Sequence, residues 1–355
     1  GPAGGAWVAG VIESGKQGGR TMGKRDNVLR RSTGAVGGAP VFLFDLTLWY
    51  DWHRKRGTLP EAWRGLSMAQ IARDLGACAW EVVTPWRVAT PGVDVTRNER
   101  EAERTLHVEA PSGTLTARWT LGPDGDWWQT EYPVKTQVDL MAALEWVAAR
   151  EYTVDGVRAE ELAVVSGDDR VVALSIPRRP YAELLNDLLG WSDGLALLGE
   201  PEIGEMLEAL DEKLQAIVPE IAALPGDVIY SPDNLDGQFV SPRACARHFA
   251  PSYRRTADSL GATGKPLWVH AGGPIAHVLR PLADSGVSGV EGVCGPPQGD
   301  TPLPEARAAV GSDFTLWGGI PQDVLLDSVP VERFEAAVRE AVEYARGDPH
   351  VFLGV

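Results

Sequence analysis

The sequence predicts a (β/α)8 barrel carrying an antiparallel hairpin insertion after its second strand. Three observations predict it. Short apolar runs recur along the chain and stop at glycine, proline or a polar residue, as strands buried on both faces of a parallel sheet do. Segments with helical spacing separate most of these runs, which is the alternation of βα units. Ionisable residues collect where the runs end, and in parallel α/β folds reactive groups gather at those carboxyl ends.

The elements follow in order. Pro40–Leu48 (PVFLFDLTL) reads as the first strand, with Asp45 as its one charged residue. Ser67 is placed to N-cap a helix running to Leu75, with Met68, Ile71, Ala72 and Leu75 on one face. Trp80–Val83 is a second strand, closed by Thr84-Pro85-Trp86. Residues 88–134 then alternate with a period of two around Pro111-Ser112-Gly113, which is hairpin chemistry. Gln137–Arg150 returns to a helix. Arg170–Ile176 is the third strand, followed by helices over Tyr181–Leu189 and Pro201–Ile217, the second with proline at its permitted first turn. Asp227–Tyr230 is the fourth, and its loop carries Ser231, Asp233, Asn234 and Asp236. Ser241-Pro242 opens a helix to about Leu260. Pro266–His270, Val287–Val293 and Phe314–Gly318 supply strands five to seven. An amphipathic helix over Pro330–Ala345 precedes the eighth strand, Val351–Leu353.

Residues 22–355 are expected to form one domain. Residues 1–21 are glycine-rich and lack a signal peptide's basic head and apolar centre; the leading Gly-Pro looks like an expression scar, with Met22 as the natural start. A parallel barrel places functional groups after every strand, so a further ligand past Val355 stays open.

Composition excludes several classes. A net charge of −16 disfavours a nucleic-acid partner, whose phosphates it would repel. No run of about eighteen apolar residues suggests a membrane span. Cys78, Cys245 and Cys294 are odd in number and far apart, which argues against a disulfide framework and for a cytoplasmic protein. GxGxxG and GxxxxGK[ST] are both absent, which counts against dinucleotide and NTP binding.

The candidate site lies in the strand ends of the last half. His270 ends strand five, Glu291 and Cys294 lie at the end of strand six, and Asp300 follows in its loop. Glu291 sits inside an apolar run (VSGVEGV), where a carboxylate needs a partner. Asp233 and Asn234 suit hydrogen bonding to a substrate, although Asp-Asn is also ordinary turn chemistry. Asp300 fits a substrate contact or a helix cap equally well. Asp45 is a candidate for the barrel mouth, and Trp49, Trp268 and Trp317 for the walls of an aromatic pocket, although large aromatics are more often core. His277, inside a helix, is read as structural.

An early hairpin insertion, a Ser241-Pro242 helix start, a strand ending in His270, Gly272-Gly273, Glu291, Gly299-Asp300 and Gly318-Gly319-Ile320 come in an order that resembles the uroporphyrinogen decarboxylase-like superfamily of barrels. The resemblance covers roughly residues 24–355 and is most specific from 227 onward. The decarboxylase branch carries an Arg-Gln-Ala-Gly-Arg segment after the first strand; Phe44-Asp45-Leu46-Thr47-Leu48-Trp49 stands there, without a cation. The resemblance therefore implies the branch of cobalamin-dependent methyltransferases, which take methyl groups from small methylated compounds. That branch binds zinc through a His-x-Cys pair and a second, distant cysteine. His270 fits the first position, Gly272 stands where the first cysteine belongs, and the last-strand cysteine is absent. His270, Glu291 and Cys294 remain as nitrogen, carboxylate and sulfur ligands acceptable to zinc. On this reading the metal polarises the methyl-bearing heteroatom, with His270, Glu291 and Asp233 as catalytic residues and Asn234 and Asp300 orienting the substrate. The chain lacks an Asp-x-His-x-x-Gly motif, so the cobalamin is expected on a partner protein. The alternative is a metal-free decarboxylase or lyase of a small acid, in which His270 and Asp233 exchange protons. A catalytically dead barrel kept as a binding subunit is a third reading.

Overall fold

The computed structural model describes residues 23–354, except 35–38, 46, 124, 166, 168 and 327. The expected 1–21 extension, Met22 and Val355 lie outside the described residues.

The described residues contain fourteen strands, in chain order β1 (Val41–Phe44), β2 (Cys78–Val83), β3 (Trp86–Ala89), β4 (Asp94–Arg100), β5 (Glu103–Ala110), β6 (Gly113–Leu121), β7 (Trp127–Glu131), β8 (Glu151–Val154), β9 (Arg170–Ser175), β10 (Val228–Leu235), β11 (Leu267–Ala271), β12 (Gly289–Val293), β13 (Thr315–Gly319) and β14 (Val351–Gly354). Eight of them, β1, β2 and β9 to β14, close into an all-parallel barrel in which chain neighbours are spatial neighbours and β14 returns to β1. The protein is a TIM barrel.

The insertion is larger than a hairpin. β4 to β7 form a four-stranded antiparallel sheet, and β3 pairs with β8 in a separate ribbon. The period-two alternation has a direct cause: Leu106, Val108, Leu115 and Ala117 all face inward and are buried, in one core with Ala142 and Ala143 of the helix Leu140–Ala148. The short strand β8 was not foreseen, because four residues carry too little pattern to stand out from the preceding helix. Strand one is also shorter than expected. It stops at Phe44, and Thr47–Arg56 is a helix whose start is fixed by the Asp45 carboxylate, which accepts from the Thr47 N–H (3.1 Å) and hydroxyl. Ser67 makes the expected cap, as one half of a reciprocal box with Gln70.

The barrel interior is filled with aromatics. Trp80 stacks on Trp268 (centroids 5.6 Å, planes 6° apart) and meets Trp317 edge-on at 4.7 Å, with Phe352 against Trp268. Trp268 and Trp317 are 1% and 2% exposed, so these two expected pocket residues are core instead. The helix Lys24–Ser32 covers the amino end of the strands. Its Val28 is fully buried in this interior cluster, Arg25 grips Asp227 ahead of β10, and Arg31 donates to the carbonyls of Ala39 (2.8 Å) and Pro349 (3.5 Å). With one end covered and the middle filled, the carboxyl end is the barrel's open mouth.

Candidate active site

His270 and Glu291 are direct neighbours across the β11–β12 ladder. Both ladders around them are built to aim side chains. β12 slips register between Glu291 and Val293, where Gly292 takes φ 94° with the Ala271 carbonyl so close that a Cβ would lie 2.0 Å from its oxygen. Bulges of this kind redirect a strand end next to a site. The result joins imidazole and carboxylate: His270 Nδ1 hydrogen-bonds Glu291 Oε2. A carboxylate can only accept, so Nδ1 carries the proton and donates. Nε2, on the far side of the ring, has no hydrogen-bond partner among the described residues, and the side chain is 33% exposed. Tyr230, in the first half of β10, donates its hydroxyl to the same Glu291 oxygen at 3.4 Å and rests edge-on against Trp80.

Electrostatics follow from this arrangement. Burial opposes a charged His270, but Glu291's charge and hydrogen bond, with Asp45 and Asp233 adding to them, more than offset it and hold the imidazole above its ordinary 6.5. Burial, then the charges of Glu291 and Asp45, hold the Tyr230 phenol well above its usual range, so it remains a donor. Glu291 thus has the partner that its place in an apolar run demanded.

The other expected residues divide. Asn234 faces solvent at the mouth, whereas Asp233 beside it is fully buried. One Asp233 oxygen accepts the Arg179 N–H at 2.7 Å and the other accepts the Tyr253 hydroxyl. Arg179, itself buried, anchors to Ser252 and Thr256. This occupation turns Asp233 from an expected proton carrier into a fastening for the β10 end, and its charge still reaches His270. Asp300 spends its carboxylate on the N–H groups of Ile275 (2.8 Å) and Ala276 (3.1 Å) at the start of the helix Ala276–Ala283, and on the Thr301 hydroxyl. Burial alone would raise its pKa, but those donors hold it below the usual range. It is a cap, though for the helix before it rather than the one after. Asp45 is exposed beside the mouth as the cap described above. Trp49 lies on the helix Thr47–Arg56, packed on His53 and Trp63. His277 bonds the Val240 carbonyl at 3.0 Å, the structural role expected of it.

The zinc set is not assembled. Among the described residues no three His, Cys, Asp or Glu side chains group to hold a metal. Cys294 is buried, and burial together with Asp323, Asp300 and Glu291 pushes its thiol up to about 11. A side chain at Gly272 would displace the Asn234 carboxamide, since a Cβ there would lie 1.9 Å from Asn234 Oδ1. These residues do not fit a zinc site.

Sequence reasoning missed Tyr230, Arg179 and Tyr253. Only Tyr230 left a signal, a hydroxyl at the end of an apolar run; the other two join the site through folding of distant segments.

No protein-family model and no curated protein matches the chain. Among solved structures it is similar in fold to a methyltransferase from Methanosarcina mazei, with a TM-score of 0.55 and 15% identity over 94% of each chain.

Proposed function

We propose that this barrel is a methyltransferase in which His270 is the general acid and Glu291 its orienting base. The observation that carries the proposal is the His270–Glu291 pair at adjacent strand ends, its Nε2 open at the mouth. The fold likeness to a methyltransferase supports the reaction class. A methyl group leaves a small methylated compound only if the departing heteroatom is made a better leaving group. In this reading the bond from methyl carbon to heteroatom breaks, its electron pair stays with the heteroatom, and that atom takes the proton from His270 Nε2. The carbon bonds to a nucleophile brought by a partner, and a corrinoid supplies such a nucleophile in its reduced form. Phe239, Leu325 and Leu326, exposed on segments that follow β10 and β13, offer the partner an apolar rim. Proton donation by a positioned group typically contributes about 10²–10⁴-fold.

A second reading is favoured by one observation: no metal-ligating group joins the pair among the described residues. A carboxy-lyase of a small acid would use the same His270 proton to quench the carbanion left by CO2. Incubation with reduced cobalamin and, in turn, a methoxylated aromatic, a methylamine and a thioether tests the proposal. Appearance of the methylcobalamin spectrum, reduced at least about 100-fold in His270→Gln, is expected. No transfer from any donor, with CO2 release from a small acid, establishes the second reading instead.

A further inference from the structure

The end of β10 is held in an unusual shape by more groups than a turn requires. Its pairing with β11 breaks after Ser231 and resumes at Leu235. Within the break, Arg178 Nε fixes the Pro232 carbonyl at 3.0 Å, while Arg179 and Tyr253 hold Asp233. The residue presented by this arrangement is Asn234. Its φ of 51° makes it the one non-glycine residue in the left-handed region among the described residues. Such conformations persist only where the surroundings over-determine them, and they cluster at functional sites. Gly272 leaves the room: its missing side chain is the space into which Asn234 Oδ1 projects, and Gly273 likewise accommodates Asp236. Asp236 spends an oxygen on the Gln238 N–H at 2.7 Å, but the Asn234 carboxamide has no hydrogen-bond partner among the described residues. Its N–H donors are free at the mouth.

Gly272 stands two residues after His270, so the Asn234 carboxamide lies over backbone at most about 7 Å along the chain from His270. We propose that the Asn234 carboxamide N–H and His270 Nε2–H together seat one substrate oxygen, so that the methyl donor is an O-methyl compound, an ether or ester, rather than an amine or thioether. This rests on the methyl-transfer reading and narrows it. An oxygen that loses a methyl group gains negative charge and has lone pairs for two donors at once, the geometry of an oxyanion seat. A methylamine enters as its ammonium form, so its nitrogen departs neutral with a single lone pair, and a thiolate is a weak hydrogen-bond acceptor. The charge forms on the oxygen as the carbon–oxygen bond breaks, Asn234 holds it, and His270 delivers the proton.

The test uses phenol as a mimic of the departing group, with aniline and thiophenol as controls, binding being followed by NMR on the wild type, Asn234→Gly and Asn234→Asp. Glycine accepts the left-handed backbone without strain, so Asn234→Gly is expected to melt at or above the wild-type temperature. The same variant should bind phenol on the order of tenfold more weakly, and Asn234→Asp, with acceptors where the donors stood, more weakly still. Phenol should bind the wild type more tightly than either control. Unchanged phenol binding in both variants overturns the seat, as does wild-type binding that is undetectable or equal for all three probes. Failure of the parent reading looks different: the binding pattern appears as expected, but no methyl donor of any kind yields methylcobalamin.

Discussion

His270 holds its proton because Glu291 faces Nδ1, and this single contact sets most of the site's measurable behaviour. In NMR titration the His270 imidazole is expected to titrate above 6.5 in the wild type and to fall in Glu291→Gln, where only the charges of Asp45 and Asp233 still oppose burial. A wild-type midpoint below 6.5 would show that the carboxylate does not control the ring. The stability consequence has a definite sign. A folded-state pKa above the unfolded value adds stability that is fully present below about 6.5 and lost as pH rises through the raised folded value. The stability advantage of wild type over His270→Gln should therefore shrink towards alkaline pH, as read from urea unfolding at a series of pH values. Burial pushes Cys78 up to about 12 and Cys245 and Cys294 up to about 11, so iodoacetamide at pH 7.5 should label none of the three quickly in the native protein and all three after unfolding. Rapid native labelling of Cys294 would reopen the case for a thiolate ligand.

At the scale of elements, two pieces hold the barrel ready for the site. The helix Lys24–Ser32 covers the amino end; removing two methyl groups from fully buried Val28 by Val28→Ala should cost about 2 kcal/mol. Asp227→Ala removes the partner of half-exposed Arg25 and the acceptor of the buried Val172 N–H (2.9 Å), and should cost about 2–3 kcal/mol in urea unfolding. A loss below ~0.5 kcal/mol in either would mean that the helix is an appendage. The elements themselves were largely legible. β2 and β9 to β14 appear in the sequence as apolar runs because parallel strands, covered on both faces, leave no polar period to confuse them. The errors lie where a polar residue changes role. Asp45 reads as a charge inside Pro40–Leu48, yet it ends the strand and starts a helix. β10 runs on to Leu235 rather than stopping at Tyr230, because its last residues pair only after a break that no period reveals.

For the whole molecule, the fold places chemistry at one end by filling the rest. Trp80, Trp268 and Trp317 occupy the middle, so their abundance in the sequence marked the core and not a pocket. The pair at the mouth was legible because Glu291 lay in an apolar run one strand away from a histidine in the matching position. The roles of Asp233 and Asp300 were not legible because their partners, Arg179, Tyr253 and the Ile275 amide, come from segments whose approach only the closed barrel decides. Purified protein is expected to carry well under one zinc per chain, and a chelator should leave the His270 titration unchanged. Stoichiometric zinc that disappears in His270→Gln would overturn the metal-free account.

The most direct test of the central claim is the pH dependence of methyl transfer in wild type and Glu291→Gln. An imidazolium acid orienting on Glu291 predicts a wild-type rate that falls as pH rises through a value above 6.5, and a fall displaced to lower pH in the variant. The same profile in both proteins, or a wild-type rate that climbs with pH across that range, would contradict it.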